Sequence, residues 1–370
     1  MGMSAAFLLL TEGLRARGWR IEVLNLGQEE GGKRAVGAVS LQRARRILGL
    51  LARATTAIPR NDIVYLTVAQ SRWGFFKDAI ILLLARAFRR SSVVHLHGGA
   101  FDRLFERQPG LVKTAIRFSL ARVARFIVLS DCFLDQFAMV DGGRERSVVV
   151  PNACNVATHP PRRAPDGRLR VLFLSNLMIE KGYLDLLAAA SLTAERLPDW
   201  TLELHFAGNF LLTPGRYRDP KEMEHAFHEA AALPPGVHVT WHGSVTGDAK
   251  EQLLANTDVF VLPTYYENEG QPIALLEAMT AALPVVATDY RAIPETLPTV
   301  MHSLLVPIRD PAAIADRLVA LAKSPESYEE ASRAAAAAAA SFRPETHIDH
   351  IARLLAELSP TGYRRQRRNC

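Results

Sequence analysis

The sequence predicts an α/β protein built from two doubly wound domains, each with a parallel sheet flanked by helices. Short β-branched runs such as "DIVYLTV" and "LRVLFLS" alternate with longer helical patterns along most of the chain. These runs are apolar almost continuously, which is typical of strands buried on both faces and therefore of parallel sheets. The length of 370 residues is too great for one ordinary core and suits two domains of roughly 150–200 residues.

A proline-rich stretch at residues 151–168 separates the two predicted domains. It contains four prolines and no periodicity, and proline interrupts both helices and strand ladders. We therefore predict a first domain at 1–150, a linker at 151–168 and a second domain at 169–345. A C-terminal helix and basic tail follow at 346–370, and the helix could pack back on the first domain. The predicted strands are "RIEVLNL", "DIVYLTV", "SVVHLH", "FIVLS" and "SVVV" in the first domain, and "LRVLFLS", "TLELHFA", "VHVTWHG", "DVFVLP" and "PVVATD" in the second.

The first domain begins unusually for this fold class. A doubly wound domain normally opens with a central strand and a glycine-rich turn into the first helix. This sequence opens directly with the amphipathic helix "MGMSAAFLLLTEGLRARG", for which Gly18 is the expected C-terminal stop. The first strand is therefore expected to be missing. Either the true start lies upstream of Met1, which we favour, or the sheet has a gap at its middle.

Charge is distributed unevenly between the two halves. Residues 1–170 hold 27 lysines and arginines against 13 acidic residues, a balance of +14, and the remainder holds 17 against 25, a balance of −8. Much of the positive charge lies on "LQRARRILGLLARA", "FKDAIILLLARAFRR" and "VKTAIRFSLARVARF". Two interpretations stay open: solvated faces of helices that cover a sheet, or attraction to an anionic surface. For the second, membrane headgroups suit the pattern better than nucleic acid, because no aromatic residues alternate with the arginines.

Composition argues against several classes of protein. The three cysteines, Cys132, Cys154 and Cys370, have no paired or metal-like spacing, which indicates a reducing compartment. Pairs of histidines such as His225/His228 and His347/His350 have no third ligand nearby in the sequence, so we predict no metal site. The apolar runs are too short for a secretory signal or a spanning helix. We expect a cytoplasmic protein, with a peripheral location at the inner face of the membrane as the further option.

The stretch "ENEGQPIALLEAM", residues 267–279, carries the strongest chemical pattern. It follows the predicted strand "DVFVLPT", and Pro272 suits the first turn of a helix, where its missing N–H costs nothing. The free amides of Ile273 and Ala274 then point beyond the strand ends with the positive end of the helix dipole behind them. Gly270 allows a ligand to approach the backbone closely. Together these features predict an anion site suited to phosphate.

Two acidic residues extend this predicted site. Glu277, about a turn and a half into the helix, can accept hydrogen bonds from the vicinal hydroxyls of a ribose. Glu269, in the loop before the helix, points towards the group attached beyond the phosphates. In the alternative interpretation, Glu267 and Glu269 only favour the helix N-terminus electrostatically and Glu277 is a surface residue.

The whole block "DVFVLPTYYENEGQPIALLEAMTAALPVVATDYRAIPE" resembles the donor site of the family-4 retaining glycosyltransferases, the glycosyl transferases group 1. In that family two glutamates separated by seven residues contact a nucleotide-sugar. "VVVPNACN" resembles the interdomain turn of the family, and "VLFLSNLMIEKGYLDLLAA" resembles its diphosphate-gripping loop and helix. The resemblance covers nearly the whole chain and is strong from about residue 147 onwards. It implies the GT-B fold: two Rossmann-like domains that face each other across a cleft.

The resemblance also assigns roles on the donor side. Lys181 is expected to pair with the diphosphate, and Asn176 stands where many members have an arginine, which leaves one fewer positive charge. Gly208 matches a glycine that permits close packing at the donor cleft, and the backbone around His242 and Gly243 is expected to hold the base. The expected donor-binding residues are Asn176, Lys181, Gly208, His242, Gly243, Glu269, Gly270, Gln271, Pro272, Ile273 and Glu277.

On the acceptor side the informative stretch is "VVHLHGGAF". His95 falls within an apolar strand, and His97 emerges at its carboxyl end, the edge where open α/β sheets collect ligands. The resemblance implies that His97 faces the transferred sugar; a structural role is the alternative. Gly98, Gly99 and Ser130, which ends "FIVLS", are expected on the same side. The expected catalytic residues are His97, Glu269 and Lys181.

The function implied by this resemblance is transfer of a hexose-type sugar from a nucleoside-diphosphate donor to a hydroxyl acceptor, with retention. The linker would close the two domains around the substrates. No cofactor and no divalent metal are expected, and the question of a protein nucleophile stays open. The expected partners are the nucleotide-sugar, a glycan or lipid-linked acceptor, and an anionic membrane through peripheral contact, but no nucleic acid. The rival functions are a sugar-nucleotide epimerase of the same fold and a non-catalytic binding module.

Overall fold

The computed structural model describes residues 2–24, 41–212 and 216–359. The chain divides into two compact units, which are described separately: unit 1 comprises Met1–Asn152 and Pro344–Cys370, and unit 2 comprises Ala153–Arg343. None of the described helices is long and apolar enough to cross a membrane. The sequence beyond residue 359, including Cys370 and the predicted basic tail, lies outside the described residues.

Unit 1 contains a four-stranded sheet of order β1-β2-β3-β4 in which every pair is parallel. Residues predicted as the strands "DIVYLTV", "SVVHLH", "FIVLS" and "SVVV" form these four strands, so those predictions are confirmed. The elements are α1 (Gly2–Ala16), α2 (Leu41–Ala57), β1 (Ile63–Thr67), α3 (Arg72–Ala87), β2 (Ser91–His95), α4 (Phe101–Glu106), α5 (Gly110–Leu120), β3 (Arg125–Val128) and β4 (Ser147–Val149).

Unit 2 contains a six-stranded parallel sheet of order β10-β9-β8-β5-β6-β7. All five predicted strands are present, and the two-residue strand β10 was not predicted. The elements are β5 (Arg168–Leu174), α6 (Tyr183–Arg196), β6 (Thr201–Ala207), α7 (Pro220–Ala230), β7 (Val237–Trp241), α8 (Gly247–Ala255), β8 (Val259–Leu262), α9 (Ile273–Thr280), β9 (Val285–Thr288), α10 (Ile293–Thr296), β10 (Leu305–Val306), α11 (Pro311–Lys323) and α12 (Pro325–Ala338).

Helices cover both faces of the unit 1 sheet, as a parallel sheet requires. Successive side chains of a strand point to opposite faces. Val64 and Leu66 of β1 pack against the cluster formed by α2 and α3. Ile63 and Tyr65 pack against a second cluster, formed by α1 and by α13 (Pro344–Leu358), the last helix of the chain. The predicted α/β architecture of parallel sheets is therefore confirmed.

One predicted strand is wrong over its described part. "RIEVLNL" has the alternation of a half-buried strand, yet residues 20–24 pair with no strand, and its last two residues lie outside the described part. Trp19 and Ile21 pack against one apolar cluster and Leu24 against another. A cavity of about 1390 Å³ is lined by this segment, by α1 and by β1. The apolar side chains of this segment are partly buried by packing without strand pairing. A strand also needs a neighbouring backbone for its hydrogen bonds, and an alternating sequence pattern does not show whether one is present.

The predicted linker is irregular, and most of it is bound to unit 2. Arg162 explains this attachment, because its guanidinium donates to the carbonyl oxygens of Leu254, Ala255, Thr257 and Ala281 at 2.7–3.0 Å. These carbonyls lie at or near the C-terminal ends of α8 and α9, where helices leave acceptors unsatisfied. The segment therefore caps two helices of unit 2.

Candidate active site

The strand order of unit 2 places one sheet edge in a position to bind a ligand. β5 lies at the middle, with β6 and β7 on one side and β8 to β10 on the other. This reversal of strand order is the topological switch point, where open α/β sheets bind ligands beyond their carboxyl ends. The two segments that leave this point, after β5 and after β8, contain Asn176, Lys181 and the stretch 263–272.

Gly182 fits these two segments together. It follows a 3-10 turn, Ile179–Lys181, and has φ +79°. A Cβ added there would lie 2.1 Å from the carbonyl oxygen of Pro263, so only glycine allows this approach without strain. The Tyr265 N–H also donates to the Glu180 carbonyl at 2.7 Å. The loop after β5 is thereby held against the loop after β8.

This packing brings Lys181 and Glu269 together. Lys181 Nζ donates to Glu269 Oε2 at 2.6 Å, and the Thr264 hydroxyl donates to the same oxygen at 2.8 Å. Glu269 is only 6% exposed, and the Lys181 ammonium lies 5.0 Å from the centroid of the Tyr266 ring. A buried carboxylate requires such partners. Two of the predicted catalytic residues thus form one ion pair at the switch point.

Glu277 forms a second acid–cation pair at this site. It is 8% exposed in α9, which contradicts the interpretation of it as a surface residue. Lys250 of α8 donates to its Oε1 at 2.5 Å. Sequence reasoning missed Lys250, because "GDAKEQLLA" has no motif and the contact spans 27 residues. Only a search for cations able to neutralise a buried Glu277 would have found it.

The start of α9 differs in detail from the prediction. Pro272 has extended backbone angles, φ −66° and ψ 120°, and caps the helix, which begins at Ile273. The expected position of Pro272 in the first helical turn is therefore wrong by one residue. The physical reasoning is unchanged, because its carbonyl accepts the first bond, from Leu275 N–H at 3.2 Å. Gly270 is buried, and the Gln271 amide donates to Thr296 of α10 at 3.2 Å, so this side chain holds the loop in place.

The remaining predicted donor residues lie along the same edge. Gly208 follows β6 and packs against the end of β5, because an added Cβ would be 2.0 Å from the Ser175 carbonyl oxygen. Asn176 is exposed beside this contact. Gly208 N–H donates to the Gly243 carbonyl at 2.7 Å, and His242 N–H donates to Phe206 at 2.9 Å. Asn176, Gly208, His242 and Gly243 therefore follow the three adjacent strands β5, β6 and β7.

The corresponding edge of unit 1 carries the residues predicted on the acceptor side. His97 lies two residues beyond β2, and Ser130 lies two residues beyond the adjacent β3, where it precedes a 3-10 helix. Gly98 and Gly99 are buried in the loop after His97. This loop is anchored by two glutamines that the sequence did not single out. Gln70 accepts from Ala100 N–H at 2.8 Å, and Gln136 accepts from Phe101 N–H at 2.7 Å.

His97 belongs to a cluster of neutral histidines. Its ring stacks on that of His95 with centroids 3.9 Å apart. His95 Nδ1 contacts the Tyr65 hydroxyl, and His347 Nδ1 donates to the Pro151 carbonyl at 2.7 Å. The pKa of His97 is lowered to about 4, chiefly by burial and also by the charge of His347, with a hydrogen bond to Asn152 acting in the opposite direction. The His97 imidazole is therefore uncharged near neutral pH and can both donate and accept a hydrogen bond.

Within residues 2–24, 41–212 and 216–359, no three His, Cys, Asp or Glu side chains are grouped as metal ligands would be. Cys154 is buried beside Thr280, and this burial raises the pKa of its thiol to about 11. An uncharged thiol is a poor nucleophile and a poor metal ligand.

Two parallel sheets flanked by helices, one with buried acid–cation pairs at its carboxyl edge and one with a cluster of histidines there, define a two-unit doubly wound α/β protein. Residues 168–324 match the family model described as glycosyl transferases group 1. Residues 1–153 match the model described as a glycosyl transferase 4-like domain. The chain belongs to the group 1 glycosyltransferases, family 4, with the GT-B fold.

Curated relatives match over limited segments. The putative colanic acid biosynthesis glycosyltransferase WcaL of Escherichia coli K12 is 40% identical over 75 residues, which are 19% of this chain and 18% of the relative. The amylovoran biosynthesis glycosyltransferase AmsK of Erwinia amylovora is 35% identical over 114 residues, 29% of this chain and 27% of the relative. The matches thus span about a quarter or less of the length of these relatives.

Solved structures share the fold over most of the chain. HepE of Anabaena in complex with UDP superposes with a TM-score of 0.66 at 19% identity, over 84% of this chain and 82% of that one. The same protein in complex with UDP-glucose gives a TM-score of 0.64 at 21% identity, over 83% and 82% of the two chains. Sucrose-phosphate synthase from Thermosynechococcus elongatus gives 0.65 at 17% identity, over 94% and 91%.

Proposed function

We propose that this protein is a retaining hexosyltransferase. It takes a hexose-type sugar from a uridine diphosphate donor to a hydroxyl acceptor, without a divalent metal, in the synthesis of a cell-surface polysaccharide or glycolipid. The single observation that carries the proposal is the pair of buried acid–cation contacts, Lys181–Glu269 and Lys250–Glu277, beside the start of α9. Buried ionisable groups beside a helix N-terminus at a switch point are arranged as a site for an anionic ligand.

The chemistry assigned to unit 2 is stabilisation of a departing diphosphate. Negative charge grows on that group as the glycosidic bond breaks. The amides of Ile273 and Ala274 are held by the start of α9, so they stabilise this charge with little reorganisation. Lys181 adds a positive charge once it exchanges its contact with Glu269 for one with the diphosphate. Glu269 orients the sugar, and Glu277 accepts hydrogen bonds from the ribose hydroxyls. Asn176, Gly208, His242 and Gly243 line the remaining edge, on the side assigned to the nucleoside.

The chemistry assigned to unit 1 is recognition of the acceptor and of the transferred sugar. The neutral His97 hydrogen-bonds a sugar hydroxyl in this proposal. Gly98 and Gly99 allow close approach of the acceptor, and Ser130 lies at the end of the adjacent strand. An uncharged histidine avoids adding positive charge next to an anomeric centre that becomes cationic.

The proposed donor base and the proposed biological setting are based on similarity to known proteins. The Anabaena structures are described as complexes with UDP and with UDP-glucose. The Escherichia coli and Erwinia relatives are described as glycosyltransferases of colanic acid and amylovoran biosynthesis. By this similarity we propose a UDP-sugar donor, a glycan or lipid-linked acceptor, and a cytoplasmic location with peripheral contact at the inner face of the membrane.

The test is a survey of UDP-sugars incubated with the full chain, with and without a lipid extract and with and without a chelator. Release of UDP that requires the extract, survives chelation and yields a glycosylated product is the expected result. Isomerisation of the sugar nucleotide without any acceptor would instead identify an epimerase. Donor binding with no turnover on any acceptor would identify a binding module.

A further inference from the structure

Helix α3 is apolar on two opposite faces. Its buried residues include Phe75, Ile81, Leu82 and Ala85. A second apolar stripe, Trp73, Phe76, Ile80, Leu83 and Ala87, repeats at alternating steps of three and four residues. At about 100° per residue, this stripe is centred directly opposite the buried one.

The outer stripe is exposed to solvent in the described structure. Trp73 is 67% exposed and Phe76 63% exposed, whereas a soluble helix normally carries polar residues on this face. A helix that is apolar on all sides is normally covered on all sides. The outer face of α3 therefore requires a partner that lies outside the described residues of unit 1.

Helix α5 extends this surface. Leu111 is 89% exposed and Phe118 is 55% exposed, seven residues apart on one face of the helix. The two helices are joined through Arg86 of α3, which donates to the Phe118 carbonyl at 3.3 Å and lies 4.3 Å from the centroid of its ring. The exposed residues Trp73, Phe76, Leu83, Leu111 and Phe118, together with the half-buried Ile80, form what we call the α3–α5 face.

The helices that carry the α3–α5 face and the adjacent α2 are positively charged, although Lys113 of α5 is paired with Glu106 of α4 at 2.9 Å. Helices α2, α3 and α5 contain a single acidic residue, Asp78. It is fully buried, paired with Lys77 and bonded to Ala69 N–H at 2.8 Å, so it contributes no negative charge to the surface. The basic residues of these helices with described side chains are Arg45, Arg46, Arg53, Arg72, Lys77, Arg86, Lys113 and Arg117.

We propose that the α3–α5 face docks on an anionic phospholipid bilayer. Trp73, Phe76 and Phe118 enter the headgroup boundary, and the surrounding arginines and lysines contact lipid phosphates. Charge decides between this partner and a second copy of the chain. The three-and-four spacing would also suit helix pairing, but two copies would bring like charges together with no exposed acid on these helices to offset them.

The face lies next to the edge of unit 1 assigned to the acceptor. Gln70, two residues before α3, accepts from Ala100 in the loop that follows His97. Phe75 in the first turns of α3 contacts Phe101 with ring centroids 5.3 Å apart. The first turn of α3, with Trp73, therefore borders the loop that contains Gly98 and Gly99. This part of the inference rests on the proposed function: a lipid-linked acceptor held in the bilayer would meet unit 1 at its catalytic edge.

The experiment measures binding of the full chain to sedimented vesicles, made either of phosphatidylcholine alone or of phosphatidylcholine with phosphatidylglycerol. The test variant is the double substitution Trp73→Ser with Phe76→Ser. A matched control, Val300→Ser with Ile308→Ser, removes two exposed apolar side chains of unit 2, which are 44% and 45% exposed. Fluorescence adds a local readout, since Trp73 is exposed whereas Trp19, Trp200 and Trp241 are half-buried.

We expect the native chain to bind the anionic vesicles, to bind less as salt is raised, and to shift its fluorescence to the blue through Trp73. The test variant should partition about tenfold or more weakly, because two aromatic side chains no longer enter the bilayer, and the control variant should bind as the native chain does. Equal binding by the test variant would overturn the proposal. So would a dimer in sedimentation velocity that the test variant abolishes, which would assign the face to a second copy.

UDP binding by the test variant distinguishes the two proposals. The α3–α5 face lies in unit 1, and the nucleotide site is assigned to unit 2. A variant that leaves the membrane but still binds UDP supports the docking face. If the native chain did not bind vesicles but still turned over the donor, the docking proposal would be overturned and the transferase proposal would be unaffected.

Discussion

Replacing Glu277 with glutamine tests the assignment of the nucleotide site most directly. Glutamine keeps the shape of the side chain and one carbonyl acceptor, and it removes the charge. Because Glu277 is buried on α9 and paired with Lys250 at 2.5 Å, its carboxylate is fixed in position before the nucleotide binds. We expect weaker binding of UDP with little change in the fold.

The magnitude follows from the two ribose hydroxyls. A hydrogen bond to a charged group contributes about 1.5–3 kcal/mol and one between neutral groups about 0.5–1.5 kcal/mol. Loss of the charge therefore costs about 1–1.5 kcal/mol per hydroxyl. For two hydroxyls this is about 2–3 kcal/mol, a weakening of UDP binding by roughly 30- to 150-fold. The cost to stability should be smaller, about 1 kcal/mol, because the Lys250 side chain is 23% exposed and its ammonium can reach water.

The assay is calorimetric titration of UDP, with thermal unfolding measured in parallel. Glu330→Gln is a matched control, since Glu330 is exposed on α12 and lies outside the proposed site. A native UDP affinity in the Glu277→Gln variant would refute the assignment. A double-mutant cycle with Lys250→Met should show a coupling of about 0.5–3 kcal/mol if the ion pair is formed in solution. No coupling would show that Lys250 and Glu277 act independently.

Three further predictions concern Glu269, His97 and Gly208. Glu269→Gln should lower kcat at least about tenfold, because Glu269 acts on the sugar, and it should not weaken UDP binding, because the carboxylate that competes for Lys181 is removed; an unchanged kcat would contradict this role. Burial holds the pKa of His97 at about 4, below the value of about 6.5 in an unfolded chain. Between these two pH values the unfolded chain binds a proton that the folded chain does not, so the free energy of unfolding should rise as pH increases from about 4 to 6.5. His97→Gln should reduce that rise in denaturant titrations at several pH values, without removing it, because burial also lowers the pKa of His95 and of His347; an identical pH profile would contradict the burial argument. Gly208→Ala should destabilise unit 2 by about 1–3 kcal/mol, since the new Cβ would lie 2.0 Å from the Ser175 carbonyl oxygen. Gly49→Ala in α2 meets open space and should be neutral or stabilising; equal melting temperatures for both variants would contradict the steric argument.

The parallel sheets could be predicted because their strands are buried on both faces and therefore appear as continuous apolar runs. "LRVLFLS" and "TLELHFA" were located to within about one residue for this reason. The segment "RIEVLNL" has an equally favourable composition, yet its described part forms no strand. The apolar residues of a segment indicate that its side chains are buried. Strand pairing depends in addition on the position of a second backbone segment, which the local sequence does not show.

The candidate site was predictable in part for a similar reason. Glu269, Glu277 and the start of α9 lie within one short stretch, so local spacing identifies them. Lys250 lies 27 residues from Glu277, and Gln70 and Gln136 each lie at least 30 residues from the loop that they anchor. These contacts arise only when strands from distant parts of the chain are placed side by side. The residues that hold the site in position are therefore the ones that sequence reasoning missed.

The two ion pairs have a consequence for how a donor would be recognised. Lys181 is bonded to Glu269 at 2.6 Å, so its charge is neutralised by this carboxylate. A diphosphate can attract the ammonium only by competing with this carboxylate. When Lys181 turns to the phosphates, Glu269 loses a partner and is left as a buried acceptor, a state that is costly unless another donor replaces the lysine.

A sugar hydroxyl supplies that donor. Recognition of the diphosphate and of the sugar is then coupled, and UDP-sugar should bind more tightly than UDP by a margin that disappears in Glu269→Gln. Equal margins in the native chain and the variant, measured by calorimetry, would show that this exchange of partners does not occur.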